Sequence, residues 1–389
     1  LTLAAMVGRL CSLYELCLLV QLLLAIAASI GMRTTYVLSA PLMVLVAQQA
    51  GVRQNQQAED RTDGKVEAVF DRAESVHELS HGRLCARGRL LPELYVLGAQ
   101  KSATTSFGNA LMSSGIRTPH PHGEKEWHFF DVRYFKRQKT WDLAVVREVW
   151  YSSLPACNSR TFGKQERVVL ADLTPKNIRL TPLGSGMRHK KGHHKRELIN
   201  LPATLKYLYN GSSHRLIFLV LLREPLSRIQ SAGYMEVEKG HLSGTFNETL
   251  RFSLDMAKQH VITDLMWASL YGRQLQAYLS QFDPSQFIII PYRYYTALAT
   301  EEVRATVARR LNHSLNFTSN WKNVGTHSPQ GHDVPSDLQR RYEQWIEEEN
   351  ALLEKVLLKA YQGGASLPAF HPKGLATLDT VRHWLTSGW

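Results

Sequence analysis

Residues 94–115 read LYVLGAQKSATTSFGNALMSSG and pass from an apolar run through a small polar turn into a helical pattern. The run Leu94–Gly98 is typical of a buried parallel strand, and the pattern from Thr104 to Ser114 predicts a helix that ends at Gly115. The unpaired N–H groups and the positive dipole end of such a helix favour a bound phosphate or sulfate. This stretch therefore predicts an anion site.

The turn lacks the Walker arrangement of phosphate-binding loops. The pattern G-x-x-x-x-G-K-[ST] places its lysine after a second glycine, whereas here Lys101 comes first and Ala103 follows it. This order disfavours a magnesium-dependent nucleotide hydrolase. Taken alone, the turn is equally compatible with an ordinary strand-to-helix connection that carries an exposed lysine, so the rest of the sequence must decide.

Composition restricts the class of protein and of partner. The chain has 389 residues, 44% hydrophobic and 21% charged, which is ordinary for a globular protein. Its 46 Lys and Arg against 34 Asp and Glu give a formal net charge of +12, which favours anionic partners. The sequence contains no recognition helix, zinc spacing or aromatic–basic platform typical of nucleic-acid binding. Nucleotides, polyanionic glycans and acidic peptides therefore stay as expected partners, and nucleic acid does not.

The N-terminal 47 residues are dominated by apolar side chains. The run from Leu16 to Met32 is near the lower length limit of a membrane span and predicts a signal anchor. Ala25-Ile26-Ala27 also fits the cleavage site of a signal peptide. Both alternatives direct the remainder of the chain into the secretory pathway.

Changes in composition divide the chain into three parts. We predict a hydrophobic segment at 1–47, a stem or linker at 48–89 and one globular domain at 90–389. Cys85 and Cys157 are compatible either with a disulfide in an oxidising compartment or with two free thiols. Four N-x-[ST] sequons are compatible with lumenal exposure, and they begin at Asn210, Asn247, Asn312 and Asn316.

Beyond residue 90, strand-like apolar runs alternate with helix-like segments. This alternation predicts an α/β fold with a mainly parallel sheet covered by helices. The strand-like runs are Leu94–Gly98, Val168–Ala171, Leu216–Leu222 and Phe287–Ile290. A last long helix is predicted from Ser336, with Gln339 completing a capping box and an apolar face that packs into the core.

Residues 215–234, RLIFLVLLREPLSRIQSAGY, form a second passage from a buried strand into a helix. This places Arg223 at the carboxyl edge of the sheet, where ligands of open α/β sheets bind, and Ser231 follows eight residues later. Both side chains can reach a second phosphate of a nucleotide that the first turn holds. The alternative is an arginine paired with Glu224 or with a C-terminal carboxylate.

Two further stretches supply polar side chains to the predicted site. Residues 123–131, GEKEWHFFD, place Glu126 and His128 beside bulky aromatic residues. Partial burial raises the pKa of a carboxyl group, so we expect a raised pKa that suits Glu126 to general-base work. The alternative is a solvated glutamate in a charged run. Residues 168–178, VVLADLTPKNI, end a strand and then supply Asp172, Thr174 and Lys176.

Four stretches, in the same order, resemble the sulfotransferases that use 3′-phosphoadenosine 5′-phosphosulfate (PAPS), especially the membrane-anchored Golgi enzymes that sulfate glycosaminoglycans. GAQKSATTS resembles the family's 5′-phosphosulfate loop, KEWHFFD its K-E-P-H-F-F-D segment, and LLREPLSRIQS the strand and helix that bind the 3′-phosphate. SLYGRQLQAYLSQF, residues 269–282, is similar to its Y-x-x-x-L-x-x-W-L-x-x-F helix, with Tyr278 where Trp is usual. The resemblance covers about residues 90–361.

The resemblance implies a P-loop-like sulfotransferase domain that transfers a sulfuryl group from PAPS, without a metal, to a hydroxyl or amine of an anionic glycan. It implies that Glu126 is the general base and that Lys101 stabilises charge on the leaving oxygen. Residues implied at the nucleotide are Lys101, Ser102, Ala103, Thr104, Thr105, Ser106, Arg223, Ser231 and Gly325, the last within Lys322 to His327. Residues implied at the acceptor are His128, Asp172 and Lys176.

The resemblance also implies a single-pass membrane protein of the Golgi or another secretory compartment, with a lumenal catalytic domain. Two alternatives of different classes remain open at this point. One is a non-catalytic nucleotide- or polyanion-binding protein on the same fold, and the other is a P-loop kinase, which requires magnesium.

Several positions depart from the family's pattern. Ala103 replaces a common glycine, so we expect this position to avoid a backbone conformation open only to glycine. Asp172 and Leu173 replace the E-K pair of the glucosaminyl 3-O-sulfotransferases, so their catalytic lysine is absent. Trp127 replaces a proline on the acceptor side. The basic loop 188–196, RHKKGHHKR, is interpreted either as a grip on an anionic glycan or as a solvated insertion.

Overall fold

The computed structural model describes residues 77–79, 83–120, 122–133, 141–157, 168–182, 188–189, 199–292, 294–298, 300–316 and 334–366. The chain divides into two compact units, Leu1–Glu74 and Ser75–Trp389, and all described residues lie in the second. The predicted N-terminal hydrophobic segment, Gly325 and most of the basic loop lie outside the described residues. None of the described helices is both long and apolar enough to cross a membrane.

The second unit alternates strands with helices. Its described strands are β1 (His77–Leu79), β2 (Arg83–Ala86), β3 (Arg89–Leu90), β4 (Leu94–Gly98), β5 (Ala171–Asp172), β6 (Arg188–His189), β7 (Ile217–Leu222), β8 (Val261–Ile262) and β9 (Phe287–Pro291). Its described α-helices are α1 (Thr104–Ser113), α2 (Leu143–Ser152), α3 (Leu201–Tyr209), α4 (Pro225–Glu238), α5 (Phe246–Ala257), α6 (Asp264–Trp267), α7 (Tyr271–Leu279), α8 (Thr300–Leu311) and α9 (Ser336–Gln362).

A parallel four-stranded sheet in the order β5-β4-β7-β9 forms the centre of this unit. Tyr95 of β4 is aligned with Asp172 on one side and with Phe218 on the other. Every residue of β4 and β9 is buried, as expected for parallel strands that are covered on both faces. The predicted α/β fold with a parallel central sheet is confirmed.

Hydrophobic cores lie on both faces of the sheet. Tyr95 and Leu97 belong to one core and Leu94 and Val96 to the other, as the alternation of side chains along a strand requires. The first core includes side chains of α2, α3, α7 and α9, and the second includes side chains of α1 and α8. A third cluster joins α4, α5, α6 and the first half of α9. These layers fix the strand ends that carry the site.

The long helix α9 begins at Ser336, as predicted, but without the predicted capping box. Because Ser336 is already the first helical residue, the N-cap is Pro335, which has no side chain able to accept a hydrogen bond. Gln339 donates its side-chain amide to Glu343 at 2.7 Å instead. The prediction of the helix start is therefore confirmed, and that of the capping box is wrong.

The end of the predicted stem is folded onto the domain. Leu84 and Cys85 of β2 are buried in the first core. Cys85 forms a disulfide with Cys157, with 6.2 Å between the two Cα atoms, so the structure selects the paired alternative. The domain boundary near residue 90 stays a prediction.

The turn between β4 and α1 combines unusual backbone conformations. A Cβ atom on Gly98 would lie 2.5 Å from the main-chain oxygen of Pro175, so no larger residue fits there. Lys101 and Ala103 have φ of 73° and 61°, the left-handed region that costs an L-residue about 1–2 kcal/mol. Alanine can adopt this conformation, as expected for position 103, but glycine adopts it more easily.

We therefore predict that Ala103→Gly raises the free energy of unfolding by about 0.5–1 kcal/mol. Glycine removes the left-handed strain, and this gain exceeds the cost of the greater conformational entropy that glycine gives the unfolded chain. Urea denaturation followed by circular dichroism measures the change. Ala110→Gly within α1 is the matched control and should lower stability by about 1 kcal/mol. Destabilisation by Ala103→Gly would contradict the left-handed turn.

Candidate active site

Lys101 and Arg223 meet at the carboxyl edge of the sheet. Lys101 lies in the turn after β4 and Arg223 directly follows β7, the neighbouring parallel strand. Arg223 donates from Nη1 to the main-chain oxygen of Lys101 at 3.1 Å. Its guanidinium also lies over the ring of Tyr292, 4.9 Å from the ring centroid. The predicted proximity of the two stretches is therefore present in the fold.

The positive charge at this edge is not neutralised by a contacting carboxylate. Burial and the charge of Arg223 lower the pKa of Lys101. Glu224 accepts hydrogen bonds from the N–H groups of Leu226 and Ser227 at 2.7 and 2.6 Å and so caps α4. Within the described ranges neither Lys101 nor Arg223 forms an ion pair, and the alternative pairing of Arg223 with Glu224 is not found. Adjacent cations without such partners suit an anionic ligand.

The other predicted nucleotide contacts in the described residues lie in the turn after β4, in the first turn of α1 and in α4. Thr105 and Ser106 are half-buried in the first turn of α1, while Thr104 and Ser102 are buried. Ser231 is half-buried in the middle of α4. The structure shows no contact between Ser231 and the turn that carries Lys101, so the role of Ser231 stays a prediction.

Glu126 lies in a short chain of charged groups. Its Oε1 is 2.6 Å from Lys125 Nζ, and its Oε2 is 3.0 Å from His128 Nε2. His128 Nδ1 lies 3.1 Å from both carboxylate oxygens of Asp131, whose side chain is buried. His128 has φ of 54°, a strained conformation of the kind that is common at functional positions. The imidazole thus joins two carboxylates.

The expected raised pKa of Glu126 is wrong. Burial does raise the pKa, but the hydrogen bond from His128 and the charge of Lys125 outweigh burial and lower the pKa to about 2. The hydrogen bonds to Asp131 and Glu126 raise the pKa of His128 to about 9. At neutral pH the site therefore holds an ionised glutamate beside an imidazolium.

Asp172 holds the loop of Glu126 against the sheet. Its buried carboxylate accepts from the Thr174 N–H and from Asn177 Nδ2, both at 3.0 Å, and burial raises its pKa to about 6. Thr174 Oγ1 in turn accepts from the His128 N–H at 3.0 Å. Because Asp172 is buried, we interpret it as a structural residue. Its predicted contact with the acceptor, and that of the half-buried Lys176, stay predictions.

Trp127 and Leu173, two of the positions that depart from the resembled family, are buried. Trp127 packs against Phe129 and Phe130, with ring centroids 5.0 and 6.5 Å apart, and Leu173 lies in the second core. The influence of Trp127 and Leu173 on the acceptor side stays a prediction.

The comparisons with known proteins give limited information. No family model matches the chain, and no curated protein matches it. The chain is similar to a solved sulfotransferase from Alicyclobacillus acidocaldarius, at 20% identity and a TM-score of 0.44, over 69% of this chain and 96% of that chain. Similarity at this level establishes neither a family nor an activity.

The site includes residues that the sequence patterns did not single out. Lys125 and Asp131 stand within the stretch quoted for Glu126, and the spacing of three residues between His128 and Asp131 was the available signal. Arg228 and Tyr271 stand within stretches quoted above, Tyr271 as the first position of the Y-x-x-x-L helix, but no pattern indicated that either contributes to the site. Tyr292 carried no local signal. In the described part of the chain, no group of three or more His, Cys, Asp or Glu side chains is arranged to hold a metal ion.

The charged chain around His128 predicts a pH dependence of stability. The contribution of Glu126, whose pKa is depressed from 4.5, is complete above 4.5 and is lost as the pH falls through about 2. The contribution of His128, whose pKa is raised from 6.5, is complete below 6.5 and is lost as the pH rises through about 9.

His128→Gln should therefore remove part of the decrease in melting temperature that the wild type shows between pH 6.5 and 9. Differential scanning calorimetry across this range measures the difference between the two proteins. His214→Gln, at an exposed position, is the matched control and should follow the wild type. Parallel curves for His128→Gln and the wild type would show that His128 is not held as a cation.

Proposed function

We propose that this protein is a PAPS-dependent sulfotransferase that acts on a hydroxyl or amine of an anionic glycan. The observation that carries the proposal is the junction of Lys101 and Arg223, two cations without ion-pair partners in the described residues, at the ends of adjacent parallel strands. A nucleotide with anionic groups at both its 3′ and 5′ positions matches two separate cationic positions. The sequence resemblance assigns the same two positions to the two groups.

The residues present fit this co-substrate. Lys101 and the N-terminus of α1 suit a phosphosulfate, since the N–H groups at a helix start favour an anion. Arg223, fixed between the Lys101 carbonyl and Tyr292, suits the 3′-phosphate. When bound, PAPS supplies the sulfuryl group and a phosphate leaving group.

Glu126 has the protonation state that a proton acceptor requires. Lys125 and His128 keep its carboxylate ionised at neutral pH. In the proposed step the acceptor oxygen or nitrogen forms a bond to sulfur, the bond from sulfur to the bridging oxygen breaks, and the acceptor's proton passes to Glu126. A carboxylate with a pKa of about 2 is a weak base, so it takes the proton only as bond formation makes that proton acidic. Lys101 stabilises the charge on the bridging oxygen.

The proposed acceptor and location rest on features outside the site. The net charge of +12 favours a polyanionic acceptor. The disulfide between the β2 strand and the segment after α2 suits an oxidising compartment. Three of the four sequons have exposed asparagines, which suits lumenal glycosylation; these are Asn210, Asn312 and Asn316. We therefore propose a lumenal domain in the Golgi or another secretory compartment, anchored by the N-terminal segment.

Transfer of radiolabelled sulfate from PAPS tests the activity. The purified protein is incubated with a chelator and a panel of heparan-type and chondroitin-type glycans, peptides and small alcohols, and a parallel reaction contains magnesium and labelled ATP. Label on a glycan from PAPS supports the proposal. Label only from ATP indicates a kinase, and nucleotide binding without any transfer indicates a non-catalytic binding protein.

Glu126→Gln should retain nucleotide affinity and lose turnover by about 10²–10⁴-fold, because the amide preserves the shape of the side chain but cannot accept the proton. Calorimetric titration with adenosine 3′,5′-bisphosphate and the transfer assay measure the two quantities separately. Glu124→Gln, at an exposed position two residues earlier, is the matched control and should keep turnover. Wild-type turnover in Glu126→Gln would remove Glu126 from the role of base.

Lys101→Ala and Arg223→Ala should each weaken binding of the bisphosphate by about 10–100-fold, the expected loss for one charge-assisted contact of about 1.5–3 kcal/mol. The same titration measures the dissociation constants. Arg341→Ala removes an arginine on α9 that pairs with Asp255 and should leave the affinity unchanged. Equal affinities in all three variants would contradict the two-cation site.

A further inference from the structure

Two buried hydroxyl groups, one in the turn between β4 and α1 and one at the start of α7, have no well-aligned hydrogen bond in the described residues. Ser102 lies in the turn itself, and Tyr271 is the first residue of α7. Both side chains are almost completely inaccessible to solvent, yet neither Ser102 Oγ nor the Tyr271 hydroxyl completes a well-aligned hydrogen bond with any residue in the described ranges. A buried hydroxyl without a well-formed hydrogen bond destabilises the fold. Two such groups beside a candidate ligand site call for a functional explanation.

Tyr271 interacts with groups at both proposed nucleotide positions, namely Ser102 next to Lys101, and Arg223. Burial raises its pKa to about 12, and the charges of Arg228 and Arg223 and the hydroxyl of Ser102 act in the opposite direction. Ser102 is thus close enough to interact with the phenol, although the pair does not complete a well-aligned hydrogen bond.

Arg228 fixes the start of the helix that carries Tyr271. Its side chain is buried within the domain, and it donates from Nε to Ser269 Oγ and from Nη2 to the Leu265 carbonyl, both at 2.5 Å. Ser269 Oγ donates in turn to the Pro225 carbonyl at the first residue of α4, at 3.4 Å. These bonds connect α4, which begins two residues after Arg223, to the segment immediately before Tyr271.

We propose that Tyr271 is a positioning residue that couples the two halves of the nucleotide site through Ser102. Its hydroxyl sets the position of the turn that presents Lys101, relative to Arg223 at the start of α4. The hydrogen bond to Ser102 closes when a nucleotide occupies both cationic positions, so part of the binding energy orders the turn. This inference rests on the proposed function, because it assumes a ligand with anionic groups at both positions.

Tyr271→Phe tests the inference by removing one oxygen atom. Loss of one hydrogen bond worth about 0.5–1.5 kcal/mol should raise the dissociation constant of adenosine 3′,5′-bisphosphate, and the KM for PAPS, by about 3–10-fold, with little change in kcat. The matched control is Tyr342→Phe, because Tyr342 is equally buried and also has a hydroxyl without a partner in the described residues. Its hydroxyl lies near Ser269 rather than Ser102, so its loss should weaken nucleotide binding less than the loss of the Tyr271 hydroxyl.

Ser102→Ala and the double variant Tyr271→Phe/Ser102→Ala test whether Tyr271 acts through Ser102. If Tyr271 acts through Ser102, the double variant binds the bisphosphate as weakly as either single variant, whereas independent effects would multiply and overturn the inference. Equal weakening by Tyr271→Phe and Tyr342→Phe, or loss of kcat alone, would also overturn it. A wild type that binds no bisphosphate removes the proposed function together with this inference. A wild type that binds it, with unchanged Tyr271→Phe, removes only the inference.

Discussion

The hydrogen bond from Arg223 to the main-chain oxygen of Lys101 joins the ends of β4 and β7, and the candidate site depends on it. It exists because two apolar strands pair in parallel and are covered on both faces, so their polar C-terminal residues must emerge at one edge. The bond uses a carbonyl rather than a carboxylate, which fixes the guanidinium without neutralising it. Positive charge therefore accumulates where the turn and α1 also offer N–H groups.

The proposed proton acceptor is built by the opposite electrostatic arrangement. Around Glu126, an imidazolium and an ammonium contact the carboxylate, so it stays ionised despite partial burial. Asp131 and Asp172 then hold the loop in place through His128 and Thr174. One side of the proposed site is thus prepared to receive anions, and the other carries an anion that is ready to receive a proton.

Much of the fold could be predicted from the sequence, because parallel strands require continuous apolar runs and because Gly98 and the polar turn mark where β4 ends. The position of Arg223 followed from the same argument. The pKa of Glu126 could not be predicted, since it depends on the left-handed conformation of His128 and on which side chains contact the carboxylate. The proposed coupling of Ser102 to Tyr271 joins residues far apart in sequence, one in the turn after β4 and one at the first residue of α7, so no local pattern indicates it.

In the proposed complex, Lys101 and Arg223 hold two anionic groups of one nucleotide. Crystals soaked with adenosine 3′,5′-bisphosphate in the presence of a chelator test this arrangement through their difference electron density. We expect one phosphate against Lys101 and the N-terminus of α1, and the other against the Arg223 guanidinium. Density with both phosphates on one of these residues, or on neither, would contradict a two-cation nucleotide site.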